Sequence, residues 1–232
     1  MAARCLLYYI TDRTQLLGDE LTRRRALLSK IAEAAQAGVD YIQIREKDLA
    51  ARELEALARE AVRFIRERSQ LRTKNRELRT RLLINSRSDI ALAVGADGVH
   101  LPSNDISTSE ARRIWSLSDA GSPAREPPVI TISCHSKADV LRAEVEDADF
   151  AVFAPVFEKK DAVPAGLAGL REACQAGIPV LALGGVTVEN ATVCLDAGAA
   201  GIAGIRLFQE NKIRDVVRTI RSLALRDDDR RR

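Results

Sequence analysis

The chain has 232 residues, 36 of them basic and 33 acidic, with aromatic residues at only 4%. The charges are interspersed and the net charge is +3, so neither a basic field nor a base-stacking platform points to nucleic acid. No apolar run reaches membrane-spanning length and no secretory leader is visible, so a soluble cytoplasmic protein without nucleic-acid or membrane partners is expected. Cys5, Cys134, Cys174 and Cys194 lack metal-site spacing and read as reduced thiols.

In chain order, Leu6 to Ile10 reads as a first strand, closed by Thr11-Asp12. Leu21, Leu27, Leu28, Ile31 and Ala35 recur at helical spacing until Gly38. Asp40 to Ile44 is a second strand, and a helix from Leu49 carries Leu54, Leu57, Ala58, Ala61, Val62 and Ile65 on one stripe. That helix runs into a charge-dense stretch, read as an excursion near 66–81. Leu82 to Ile84 and Gly98 to Leu101 are the third and fourth strands, with a short helix through Ile90 to Val94 between them. Ser107 and Glu110 form a capping-box pattern ahead of Ala111, Ile114 and Trp115.

Residues 120–128 read as an exposed loop. Val129 to Ser133 is the fifth strand, and Val140, Leu141 and Val145 are expected on the inner face of the next helix. Asp149 to Phe153 is the sixth strand, followed by a loop and a helix to Ala176. Val180 to Leu183 is a short apolar run between Pro179 and Gly184-Gly185, as in a strand buried on both faces. Thr187 is the expected N-cap of a helix that Gly198 stops, and Gly201 to Ile205 begins the eighth strand. Ile213, Val216, Val217, Ile220 and Leu223 mark the last helix. AGVDYIQI, VGADGVHL, EDADFAVF and AGAAGIAG echo one another, each placing a helix end just before a strand. This alternation predicts a (β/α)8 TIM barrel, a fold of about 250 residues, with an open doubly wound sheet as the alternative. Residues 1–232 read as one domain, with a mobile C-terminal tail over 226–232.

Barrel enzymes carry their chemistry at the C-terminal strand ends. Gln43, Arg45 and Lys47 are alternate positions that share a face if the second strand extends that far, and two cations with an amide suit an anionic, phosphorylated ligand. The competing reading is a surface ion-pair cluster with Glu46 and Asp48. Asn85 ends the third strand, His100 the fourth with Asp105 beyond it, and Ser133 and His135 the fifth. Gly184, Gly185 and Gly204-Ile205 sit at neighbouring strand tips, where main-chain N–H groups can approach a phosphate; the plain alternative is tight turns. Asp105 is the candidate Mg²⁺ ligand.

QIREK (Gln43 to Lys47), LINSRSDIALAVGADGVHL (Leu83 to Leu101), ISCHS (Ile132 to Ser136), ADFAVFAPVF (Ala148 to Phe157) and LALGGVTVEN (Leu181 to Asn190) resemble the thiamin phosphate synthase/TenI superfamily. The resemblance runs from about Tyr9 to Phe208. It implies a barrel that binds a thiazole phosphate at Gly184-Gly185 and Ile205-Arg206, with Arg206 standing where the family often has serine. Synthases join this phosphate to hydroxymethylpyrimidine diphosphate with Mg²⁺. On that likeness Gln43, Arg45, Lys47, Asn85 and Asp105 match pyrimidine-diphosphate and metal positions.

Departures accompany the match. Ser86 replaces the usual metal-binding aspartate, Pro102-Ser103 replaces Gly-Gln, and Glu158 to Asp161 replaces a threonine-rich loop. These favour a TenI-like thiazole tautomerase, which needs a base and no metal, with His135 as that base. A divergent thiamin phosphate synthase using Mg²⁺ is the second reading, and a non-catalytic thiamin-phosphate-binding protein the third. A homodimer is a family expectation.

Overall fold

Eight apolar runs become eight strands whose main chains satisfy one another laterally. The computed structural model describes residues 4–72, 79–118, 126–157 and 163–231. The strands are β1 (Leu6–Ile10), β2 (Tyr41–Ile44), β3 (Arg81–Asn85), β4 (Gly98–Leu101), β5 (Val129–Cys134), β6 (Phe150–Phe153), β7 (Val180–Ala182) and β8 (Gly201–Gly204). All adjacent pairs are parallel, and β8 returns to β1 through Leu6↔Gly201 and Leu7↔Ile202, closing a barrel. Around it lie α1 (Glu20–Ala37), α2 (Ala51–Arg72), α3 (Ser88–Val94), α4 (Thr108–Ser118), α5 (Lys137–Val145), α6 (Gly166–Ala173), α7 (Ala191–Asp196), α8 (Arg206–Gln209) and α9 (Ile213–Arg231). This is the (β/α)8 barrel expected from the alternation.

Local signals explain most boundaries. The Asp19 side chain accepts the Thr22 amide at the start of α1, and Gly38 ends it at φ 88°. Ser107 and Glu110 close the capping box ahead of α4, the Ser107 amide donating to Glu110 Oε2 at 2.9 Å. Thr187 caps the turn that leads into α7, its Oγ1 accepting the Asn190 amide at 3.4 Å. In return its amide donates to Asn190 Oδ1 (2.8 Å), and α7 proper begins at Ala191, whose amide reaches the Thr187 carbonyl.

The four-fold sequence echo has a physical basis in three of its members. Asp40, Asp97 and Asp149 stand just before β2, β4 and β6 and accept the amides of Leu7, Leu82 and Ile130 in the strand alongside, at 2.8, 2.8 and 2.7 Å. At the fourth, Ala200 offers its main-chain carbonyl to the Leu6 amide. These contacts staple the N-terminal end of the barrel, leaving the opposite end for chemistry.

Two apolar layers hold the fold. One, between sheet and helices, includes Ile42, Ile44, Leu57, Ile84 and Trp115. The other fills the barrel with Tyr8, Ile10, Leu83, Val129, Phe150, Val152, Leu181 and Ala203. Tyr41 packs on Phe150 with ring centroids 4.8 Å apart, and Tyr8 meets the same ring edge-on.

Several expectations are corrected. Leu141 and Val145 face outward, 42% and 86% exposed, and α5 instead buries Val140 and Ala143. Leu21 is exposed as well. The charged stretch read as an excursion near 66–81 begins as helix, since α2 continues to Arg72, where Arg66 caps the Gly95 carbonyl at 3.0 Å. Residues 73–78 lie outside the described residues. Helix α9 runs on to Arg231, into the stretch read as a C-terminal tail over 226–232.

Gly98 is fixed by the spacing of the barrel wall. A β-carbon there would lie 1.8 Å from the Val129 carbonyl oxygen, so β4 and β5 would have to separate. Gly98→Ala is expected to cost about 3 kcal/mol, the upper end for overpacking. In a chain of this size that is roughly a 6–12 °C fall in Tm, which thermal denaturation measures.

Candidate active site

Toward the C-terminal end the barrel interior turns from apolar to polar, strand by strand. Alternation carries Tyr41 to Gln43, Leu83 to Asn85 and Val129 to Thr131 and Ser133. These side chains form one hydrogen-bonded chain. Gln43 Nε2 donates to Asn85 Oδ1 (2.8 Å) and Asn85 Nδ2 to Ser86 Oγ (3.0 Å). Tyr8 donates its hydroxyl to Gln43 Oε1 (2.9 Å) and lies 3.4 Å from Thr131 Oγ1. His100 extends the chain, with Nδ1 2.8 Å from Thr131 Oγ1 and Nε2 2.8 Å from Ser133 Oγ. In a water-poor interior, leaving one such group unpaired would cost about 1–3 kcal/mol, so the partners fix one another's rotamers.

The two histidines have opposite settings. His100 is buried, and desolvation, aided by the nearby Arg45 charge, pushes its pKa down to about 3. Both its ring nitrogens are occupied. His135 is exposed at the rim, one residue past β5, and its Nδ1 is 2.6 Å from the Ala154 carbonyl. A carbonyl can only accept, so Nδ1 carries the proton and the neutral ring keeps its lone pair on Nε2. Ala154 precedes Pro155, and Pro155 packs on Gly184.

Gly184 and Gly185 have φ of 97° and 68°, a region that side chains rarely enter. A β-carbon at Gly184 would also sit 2.8 Å from Pro155 Cα, so that glycine is needed for packing as well. The carbonyls of this turn are taken: Phe157 N–H donates to Gly184 O (3.0 Å) and Asn190 Nδ2 to Gly185 O (2.9 Å). Among the described residues, no loop hydrogen bond uses the Gly184 or Gly185 amide. The turn therefore presents donors. Beside it, β8 ends at Gly204, Ile205 is partly buried, and Arg206 is exposed at the first residue of α8.

Arg45 follows β2 and is partly exposed, whereas Lys47 is exposed. The ion-pair alternative for this stretch resolves in an unexpected way. Glu46 and Asp48 are held by Arg13, which also pairs with Glu20. The Asp48 contact, ahead of Glu20 and Glu46, raises the Arg13 pKa further and holds the Asp48 carboxyl below its usual range.

The residues allow one carboxylate for a hard cation. Asp105 Oδ1 accepts the Ile106 amide at 2.8 Å, leaving Oδ2 without a hydrogen bond among the described residues. No group of three His, Cys, Asp or Glu side chains assembles there or elsewhere among the described residues. Ser86 holds φ 59°, a left-handed conformation that aspartate and asparagine adopt more readily than most residues.

A family model described as thiamine monophosphate synthase matches residues 7–208. The chain belongs to this family. A relative from Aquifex aeolicus that carries the thiamine-phosphate synthase name provisionally is 39% identical over 208 residues, covering 88% of this chain and 97% of its own. The thiamine-phosphate synthase of Syntrophomonas wolfei is 35% identical over 206 residues, 86% of each chain. Among solved structures, a thiamine phosphate pyrophosphorylase from Pyrococcus furiosus superposes with TM-score 0.75 at 29% identity, covering 97% and 98% of the two chains.

Within this family member, the structure joins Gln43, Asn85, His100 and Ser133 in one network and sets Arg45 close enough to bias His100. His135, the Gly184-Gly185 turn and Ile205-Arg206 stand at the ends of β5, β7 and β8. Asp105 does not join the network through any hydrogen bond among the described residues, and residues 158–162, including Glu158 to Asp161, lie outside them. Sequence reasoning missed Tyr8, Thr131, Thr11 and Arg13, and placed Glu46 in a surface cluster. Alternation from Ser133 could have found Thr131; nothing local marks the others.

His100 makes stability depend on acid. Its folded pKa is depressed while the unfolded value is near ~6.5, so the unfolded chain binds the extra proton between these values. Its stabilising contribution is complete above about pH 6.5 and is lost as pH falls toward 3. His100→Gln should flatten the slope of unfolding free energy between about pH 6 and 4 by up to ~1.4 kcal/mol per pH unit. Urea titrations across that range test this; equal slopes for both chains would exclude a neutral buried His100.

Proposed function

We propose that this chain is a thiamin phosphate synthase, joining a thiazole phosphate to hydroxymethylpyrimidine diphosphate with release of diphosphate. The sequence departures favoured a tautomerase; the relatives' names favour the synthase, and that becomes the principal reading. The observation that carries it is the pairing, around one mouth, of an amide-donating glycine turn with a fixed Gln43–Asn85 wall beside Arg45. In this reading the amides of Gly184, Gly185, Ile205 and Arg206, with the Arg206 charge, receive the thiazole phosphate. Gln43 and Asn85 orient the pyrimidine, while Arg45 and Lys47 face its diphosphate. Ser133 holds neutral His100 in place at the floor of the site.

One carboxylate with substrate phosphates is a workable Mg²⁺ environment, and Asp105 would supply that carboxylate. Bound Mg²⁺ would neutralise charge on the departing diphosphate. Incubation with both substrates, with and without Mg²⁺, should yield thiamin phosphate only with the metal. Ser86→Asp should lower the Mg²⁺ concentration needed for half-maximal rate, because it adds a charged ligand in a backbone conformation aspartate tolerates. No product from either chain would overturn the synthase reading.

One observation favours a second reading, the thiazole tautomerase: His135 has a fixed tautomer with Nε2 available as a base. His135→Asn should then lower isomerisation turnover by about 10²–10⁴-fold with little change in KM. Full turnover in that variant would remove the reading.

A further inference from the structure

Between the two halves of the mouth stands the tip of β1, the strand that neighbours both β2 and β8. Its residues Thr11, Asp12 and Arg13 are tied to each side. Toward β2, the buried Thr11 hydroxyl donates to Glu46 Oε1 at 2.6 Å and accepts the Arg45 amide at 3.1 Å. Glu46 Oε2 accepts both the Arg13 amide (3.0 Å) and Arg13 Nη1 (3.1 Å). Toward β8, the Gln209 side chain makes two bonds to the Asp12 main chain: Asp12 N–H donates to Oε1 (2.8 Å), and Nε2 donates to the Asp12 carbonyl (2.9 Å). Gln209 closes α8, the helix that begins at Arg206.

Thr11, Arg13, Glu46 and Gln209 are all buried. A buried ion pair such as Arg13–Glu46 is a poor stability device, since desolvation offsets much of its attraction, whereas its geometry is strongly directional. Among the described residues, the hydrogen bonds of the Glu46 carboxylate all go to the β1 tip, from Thr11 and Arg13. We propose that the Thr11–Arg13 tip is a positioning strut, clamped by Glu46 and Gln209, that holds the Arg45 loop and the head of α8 at a fixed separation. Thr11 is its central positioning residue, because one hydroxyl links the Glu46 carboxylate to the Arg45 main chain. Its role in turnover rests on the two-substrate reading of the mouth.

Thr11→Val keeps shape and removes the hydroxyl; Thr11→Ser keeps the hydroxyl. In Thr11→Val, hydrogen exchange at the Arg45 amide should accelerate at least roughly tenfold. The KM for pyrimidine diphosphate should rise by a similar factor, about one to two lost hydrogen bonds, with the thiazole phosphate KM within about twofold of wild type. Thr11→Ser should restore both. Gln209→Met, at the other clamp, should raise the thiazole phosphate KM and leave the pyrimidine one unchanged, and it decides the matter if Thr11→Val does not fold. Should the wild type make no thiamin phosphate, the synthase reading fails, and the strut is judged on Arg45 amide exchange and on affinity for inorganic diphosphate. Wild-type exchange and diphosphate affinity in Thr11→Val, or equal losses in Thr11→Val and Thr11→Ser, would overturn the strut.

Discussion

Closure of the parallel sheet is the constraint on which the rest depends. With β1 paired to both β2 and β8, the barrel has no edge strand, and backbone polar groups along the wall are satisfied laterally. At the N-terminal end, Asp40, Asp97 and Asp149 each cap an amide of the adjoining strand. Gly98 and Gly201 let neighbouring carbonyls approach where a β-carbon would collide. Rigidity concentrated at that end frees the opposite strand ends to carry polar side chains that contribute little to the core.

The mouth separates two uses of polarity. Tyr8, Gln43, Asn85, Thr131, His100 and Ser133 satisfy one another so fully that they form a fixed surface with little capacity for proton transfer. Burial holds His100 neutral, and its two nitrogens are spoken for. His135 is exposed and, among the described residues, hydrogen-bonded at Nδ1 alone, so Nε2 keeps its lone pair.

Hydrogen-bond donors and formal charge at the mouth are divided in a similar way between backbone and side chain. The glycine turn has its carbonyls engaged by Phe157 and Asn190, so what remains directed outward is N–H. Arg45 and Arg206 supply formal charge from the ends of β2 and β8, on either side of β1. Family membership and this arrangement together support the proposed chemistry on phosphorylated ligands, and Ser86, at φ 59°, stands beside Asn85 at the end of β3.

The eight strands, the helices between them and the glycine turn were legible in the sequence because each rests on local patterning: short apolar runs, helical periodicity and turn residues. The motifs from Gln43 to Asn190 likewise carried the family resemblance without any structure. Other features depended on residues far apart in the chain. Leu141 and Val145 have helical spacing yet face outward, because the line of contact between α5 and the sheet passes through Val140 and Ala143. Glu46 looked like a surface partner for its neighbours Arg45 and Lys47, but Arg13, 33 positions earlier, takes it. Gln209 reaches Asp12 across 197 positions. Which histidine is silenced by burial and which keeps a lone pair was equally invisible, since both follow apolar strands. Sequence patterning fixes which face of an element is apolar; partners, burial and protonation are set by what closure of the barrel brings alongside, and that is decided only in three dimensions.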